Sequence, residues 1–267
     1  NNFTLMNFGY NFYKHNILTF CRELNIMLQL NHPSILRCIN YSCIDLINRN
    51  QPSAILEYAS PHGFLSNVNQ IRSNQWNNTK KLINIYGIAS AVSYLHKNNI
   101  IHRDLKTENI FIDCSFYPKL SGFHISKRAK NAFETSQHIK GTPAYIAPEV
   151  YLRKEYSKAS DVYSFAFFMY EIMMDKKCFN NGISPKQIKK MIAEEGYRPS
   201  FDIPIPECYK QLIEKCWSQD PSERPTFDEI VFQLKNNKEF ITEDINEEEY
   251  YEYIKYIDEF PITFDDD

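Results

Sequence analysis

Apolar residues recur at helical spacing through residues 15–30, HNILTFCRELNIMLQL, with Phe20, Leu24, Met27, Leu28 and Leu30. The run closes at Asn31-His32-Pro33, so a helix is predicted up to that stop. Shorter apolar runs at 34–46 and 52–58 suit strands, and YASPHG at 58–63 reads as a turn by its Pro and Gly. Residues 79–97 predict an amphipathic helix with Leu82, Ile85, Ile88, Ala89, Val92 and Leu95 on one face. Short apolar runs then alternate with polar turns through 99–127. From 158 onward the periodicity is helical, over 158–174, 184–194, 207–217 and 226–236. A last stripe, Tyr250, Tyr253, Ile254 and Ile257, marks an acidic helix in 247–260. No segment repeats another. A strand-and-helix portion therefore precedes a mainly helical body, an α+β organisation.

Composition narrows the setting. The chain of 267 residues is 43% hydrophobic, enough for a sizeable core. No run reaches membrane-spanning length, and NNFTLMNFGY lacks the pattern of a signal peptide. Starting at Asn1 rather than Met, the chain reads as a piece of a longer polypeptide. Its seven cysteines are odd in number, widely spaced and never at a Cys-X-X-Cys interval, which argues for reduced thiols in a cytoplasmic protein over a zinc site or disulfide frame. The net charge of −3 conceals an uneven distribution: residues 239–267 hold twelve acidic residues and one basic, leaving 21 acidic and 29 basic elsewhere. Lys127, Arg128 and Lys130 form a small basic cluster. No aromatic interleaving or longer basic stripe accompanies it, so it reads as a solvated face and no nucleic acid is expected. For the tail, packing against the basic body is the simpler expectation, and a docking helix for a partner the sharper one.

Residues 100–113, IIHRDLKTENIFID, carry the strongest signal. They resemble the catalytic loop of protein kinases, His-Arg-Asp-Leu-Lys-X-X-Asn, with His102, Arg103, Asp104, Leu105, Lys106 and Asn109 in register. GTPAYIAPEV at 141–150, DVYSF at 161–165 and CWSQDPSERPTF at 216–227 extend the resemblance from about Glu23 to Leu234. LNHPSIL, ILEYA and GYRPSF are most similar to the tyrosine-kinase-like group, and Lys106 with Thr142 points to serine/threonine specificity.

The resemblance implies a two-lobed kinase fold with a shortened first lobe over 1–57, a helical second lobe over 58–238 and an acidic, Tyr-rich tail over 239–267. It implies Asp104 as the base toward a substrate hydroxyl, Lys106 at the transferring phosphate and Asn109 as a Mg²⁺ ligand. Leu56 would be the gatekeeper beside the adenine, with Glu57, Tyr58 and Ala59 as the hinge and Phe111 on the adenine floor. Glu23 would be the helix glutamate that pairs with a strand lysine. Glu149 and Arg224 would form a buried ion pair, Asp161 would brace the catalytic loop, and Met27, Cys38, His102 and Phe123 would stack as a spine. Ser126, Thr135, Ser136 and Tyr145 would lie in the activation segment, read first as ordinary surface hydroxyls and second as phosphorylation sites facing Arg103.

The pattern breaks at three places, all concerned with phosphate. Gly122 stands where the family has the aspartate of Asp-Phe-Gly, and His124 where it has the glycine. Mg²⁺ needs hard oxygen ligands that Gly122 lacks. Asp113 is too close to the end of the preceding strand to replace it. Gly9 is the only glycine before Gly63, so no Gly-X-Gly-X-X-Gly loop precedes the helix. The strand lysine is missing as well: Lys14 falls too near Glu23, and aligning NFTLMNF with the lysine strand puts Met6 in its place. ATP is thus a candidate ligand, Mg²⁺ is disfavoured, and the expectation is a catalytically impaired kinase-like domain that works through a protein partner. The alternative expectation is an active serine/threonine kinase with unusual metal and nucleotide geometry acting on a protein substrate. The sequence leaves the oligomeric state open.

Overall fold

The structure is a computed structural model that describes residues 3–7, 14–42, 53–59, 63–66, 75–179 and 182–261. Gly9, Cys43, the expected strand end at 43–46 and the middle of the 58–63 turn lie outside these.

Strand β1 (Phe3–Asn7) is followed by helix α1 (Lys14–Met27), β2 (Cys38–Ser42) and β3 (Ser53–Glu57). The three strands form one antiparallel sheet in the order β1-β3-β2. Met6 pairs with Ala54 and Thr4 with Leu56, so the expected lysine strand does lie against the expected gatekeeper strand. Helix α1 stops three residues earlier than the periodicity predicts: the Gln29 and Leu30 N–H groups donate to the carbonyls three residues back, Ile26 and Met27, and Leu28 is 40% exposed.

Helix α2 (Asn78–Lys97) is the axis of the helical body, started by Asn77, whose side chain accepts from the Lys80 N–H. The predicted face is fully buried, but the helix is not amphipathic: Ile83, Tyr86, Ala91 and Tyr94 on its other sides are buried too. Its polar residues find partners within the body. Asn84 Nδ2 donates to the carbonyls of Lys80 and Phe116, both at 2.8 Å, and Lys81 Nζ meets Asp175 at 2.6 Å.

Four short strands follow: β4 (Ile100–Ile101), β5 (Ile110–Ile112), β6 (Pro118–Leu120) and β7 (Lys127–Arg128), paired β4-β7 and β5-β6. Strand β8 (Phe133–Thr135) pairs with β9 (Glu155–Ser157) across helix α3 (Pro148–Arg153). The remaining helices are α4 (Lys158–Met174), α5 (Pro185–Lys189), α6 (Glu207–Cys216), α7 (Phe227–Asn236) and α8 (Glu247–Glu259). The predicted helix at 184–194 is interrupted, since α5 passes into a wider π turn at Lys190–Glu194. A buried core of Phe and Tyr side chains from α4, Phe165, Phe167, Phe168 and Tyr170, holds α2, α6 and α7 together. No helix among the described residues is long and apolar enough to cross a membrane. The six described cysteines are free thiols.

Candidate functional site

The loop between β4 and β5 carries Asp104, Lys106 and Asn109. Asp161, at the start of α4 and fully buried, holds this loop by its backbone: it accepts from the N–H groups of His102 at 2.8 Å and Arg103 at 2.9 Å, and from His96 Nε2 at 2.9 Å. Burial alone would raise the pKa of Asp161; the His96 hydrogen bond and the nearby imidazoles hold it below the ordinary carboxylate range. Arg103 adopts φ +73°, which turns the chain so that Asp104 faces the cleft.

Asp104 is the centre of a closed network. Its Oδ1 accepts from the Thr142 N–H at 3.0 Å and Oγ1 at 2.9 Å, and its Oδ2 accepts from Asn109 Nδ2 at 2.9 Å. Lys106 Nζ lies 3.3 Å from Oδ2 and donates to Thr142 Oγ1 at 2.6 Å. Burial would raise the pKa of Asp104, but Lys106, Asn109 and Thr142 together keep it low, so it stays ionised. The four expected catalytic residues therefore meet, although Thr142 is 38 residues from Asp104 in sequence.

Gly122 sits at φ +84°, in the left-handed region that favours glycine. A Cβ there would lie 2.5 Å from Asn109 Cγ, 2.7 Å from Nδ2 and 2.8 Å from Oδ1. Asn109 thus fills the space a side chain at 122 would need, and its Nδ2 is held there by the Asp104 carbonyl at 2.7 Å as well as by the carboxylate. Asp113 belongs to a turn, accepting from the N–H groups of Ser115 and Tyr117 at 2.8 and 2.9 Å. Among the described residues no three His, Cys, Asp or Glu side chains gather where they would hold a metal ion.

Glu23 is 3% exposed on α1. It accepts from the Phe123 backbone N–H, and its Oε2 has no hydrogen-bond partner among the described residues. Burial pushes its pKa up to about 7. Lys14 is the first residue of α1, nine residues before Glu23, as its sequence position suggests. Met27, Cys38, His102 and Phe123 are all buried, with the His102 and Phe123 rings 5.1 Å apart and edge-on.

Leu56 and Ala59 are buried at the expected hinge, while Tyr58 is exposed. The Glu57 carboxylate turns away to Lys119 at 3.1 Å and the Arg37 N–H at 3.0 Å. Phe64 lies tilted against Phe111, with ring centroids 4.1 Å apart, so two aromatic rings meet at the floor expected for an adenine. Tyr145 departs from the expectation of a surface hydroxyl: it is 4% exposed, packed near Phe167. Ser126 is also engaged, donating to the His102 carbonyl at 3.0 Å, and Arg103 lies over the Tyr156 ring at 4.1 Å. In the basic cluster Lys127 pairs with Glu134, and Arg128 donates to the neutral Gln29 amide oxygen.

One cluster beside the loop gives no sequence signal. Lys177 Nζ donates to Thr107 Oγ1 at 2.8 Å, lies 3.1 Å from the buried Glu171 and pairs with Glu108. Its members are up to 70 residues apart, so only the fold assembles them.

A small sheet with one helix, set on a helical body around an aspartate-centred loop, is the fold class of protein kinases. The chain belongs to the protein tyrosine and serine/threonine kinase family, whose model matches residues 10–234. It is 34% identical to the probable serine/threonine-protein kinase drkC of Dictyostelium discoideum over 80% of this chain and 28% of that protein. A further probable serine/threonine-protein kinase of that organism is 31% identical over 82% of this chain and 16% of its own length. Integrin-linked protein kinase 1 of Arabidopsis thaliana is 32% identical over 82% of this chain and 47% of its own length. The chain thus spans less than half the length of each of these relatives.

Proposed function

We propose that this chain is a catalytically impaired kinase domain of the tyrosine-kinase-like group that acts in the cytoplasm by binding a protein partner. The observation that carries this reading is the filling of the Gly122 site by Asn109. A metal held against a triphosphate needs anionic oxygens at fixed positions. Here the carboxylate of the family pattern is missing and its volume is taken by an amide whose nitrogen is committed to Asp104. The residues present do not suit Mg²⁺, and Glu23 Oε2 has no hydrogen-bond partner among the described residues, where the family pairs a lysine.

The test is phosphate transfer from labelled ATP with Mg²⁺ to generic serine/threonine substrates, beside a thermal shift. Transfer is expected to equal that of Asp104→Ala, and ATP with Mg²⁺ is expected to stabilise no more than ATP alone. A ligand at 100 times its Kd stabilises by about 2.7 kcal/mol, well within reach of a thermal shift. Transfer at an ordinary kinase rate, abolished by Asp104→Ala, would sink the reading.

A second reading, an active serine/threonine kinase with unusual metal geometry, is favoured by one observation: Asp104, Lys106, Asn109 and Thr142 form a complete network. Gly122→Asp separates the two. The new Cβ must displace Asn109 from its two hydrogen bonds and adopt a positive φ, so a loss of about 1–3 kcal/mol in stability and no gain of activity are expected. A large gain of transfer in Gly122→Asp would show that the natural site lacks only this carboxylate.

A further inference from the structure

Helix α8 lies beyond residues 10–234, the part matched by the kinase family, yet its apolar stripe is as buried as the core. Tyr250, Tyr253, Ile254 and Ile257 are 0–3% exposed. Several contacts fasten α8 to the helical body: Tyr250 Oη donates to the Leu234 carbonyl at 2.9 Å, Lys235 meets Asp258 at 2.6 Å and Lys80 pairs with Glu249. The Asn246 N–H, just before the helix, donates to Thr79 Oγ1 at 2.8 Å.

The middle of α8 and the residue just past its end reach elsewhere. The Tyr253 hydroxyl and Ser34 Oγ share a buried hydrogen bond of 2.8 Å across 219 residues of sequence. Asn31 Nδ2 donates to the Pro261 carbonyl at 3.2 Å, just past the helix. Room for the Tyr253 hydroxyl is made by Gly87 on α2, where a Cβ would press into that hydroxyl and come 2.6 Å from Pro118. The Tyr253 ring also packs on Tyr117, centroids 4.6 Å apart.

Residues 31–36 connect α1 to β2, and they are tied in turn to the cleft. The Leu120 N–H donates to the Ser34 carbonyl at 2.7 Å, and the Leu36 N–H to the Leu120 carbonyl at 2.9 Å. The Ser34 N–H donates to His32 Nδ1 at 3.1 Å, so that imidazole is neutral, and burial lowers its pKa to about 3. Leu120 stands two residues before Gly122 and three before Phe123, whose N–H holds Glu23. Hydrogen bonds thus link α8 to Ser34 and Ser34 to Leu120, and three residues of backbone lead from there to Phe123, which holds Glu23 on α1.

We propose that α8 is a strap that holds α1 in its inward position, with the Tyr253–Ser34 hydrogen bond as its latch. Undoing the latch frees the connection after α1 while the helical body stays intact. A protein that draws α8 away would therefore alter the cleft without touching it.

Hydrogen exchange followed by mass spectrometry tests this on the 267-residue chain, with Tyr253→Phe, Ser34→Ala, their double variant, and Tyr256→Phe as control. Tyr256 is 49% exposed on the same helix. Losing one buried hydrogen bond should speed exchange across 20–36 by about fivefold in each single variant. The double variant should match the singles, because the same bond is lost. Amides of 82–95 and 158–174 should keep their rates, and alkylation of the buried Cys38 should accelerate in step with 20–36. Unchanged exchange across 20–36 in either single variant overturns the strap. So does an equal acceleration across the whole fold, or the same effect from Tyr256→Phe.

Discussion

Arg224→Ala is expected to destabilise the fold by about 3–5 kcal/mol, the cost of leaving a buried charge without its partner. The Arg224 side chain is 0% exposed and that of Glu149 5%. Their contact is bidentate, with Nη1–Oε1 and Nη2–Oε2 both at 2.8 Å. The guanidinium also donates to the Ala159 carbonyl at 2.9 Å and the Ser218 carbonyl at 3.0 Å, joining α3, α4 and the segment before α7. Truncation strands the Glu149 carboxylate and both carbonyls together. Urea denaturation measures the loss as a fall in midpoint with little change in slope. The paired variant Arg224→Met with Glu149→Leu should lose less than Arg224→Ala, since it removes the stranded charge as well. A double variant as damaged as the sum of its singles would show that the two side chains act independently.

This ion pair was legible in the sequence because two short motifs fix its partners, 75 residues apart. The same holds for Asp161, whose carboxylate sits under the loop as the DVYSF motif implies. Helices 158–174 and 226–236 were legible from periodicity alone, and the structure places α4 and α7 there to within a residue. The tail stripe packs against the body, the simpler of its two expectations. Helix α2 lies where the periodicity predicts, but its other faces, Lys81 and Asn84 included, are buried as well. Their partners, Asp175 and the Phe116 carbonyl, are supplied by segments distant in sequence, which periodicity cannot see. Tyr145 was misread for a similar reason, since its polar tip gave it a surface appearance while its ring belongs to the core. The filling of the Gly122 site by Asn109 lies beyond any spacing rule, because it depends on where one side chain turns. Gly122 alone announces a missing ligand; only the fold shows that the vacancy is closed.

Glu23→Gln is expected to stabilise the fold by about 3 kcal/mol at pH 8 and to leave it nearly unchanged at pH 4. The carboxyl is buried, with one oxygen on the Phe123 N–H and the other without a partner among the described residues. Its pKa rises from 4.5 to about 7 by burial. Between those values the folded chain holds a proton that the unfolded chain has released. Stability therefore falls as pH rises from about 4.5 to about 7 and stays lowered above that. The glutamine keeps the shape and carries no charge to desolvate, so it removes the fall. Chemical denaturation of the parent and Glu23→Gln at pH 4, 6 and 8 measures the curve. Parallel pH profiles would mean that Glu23 reaches solvent or a cation, and that α1 does not bury a bare carboxyl.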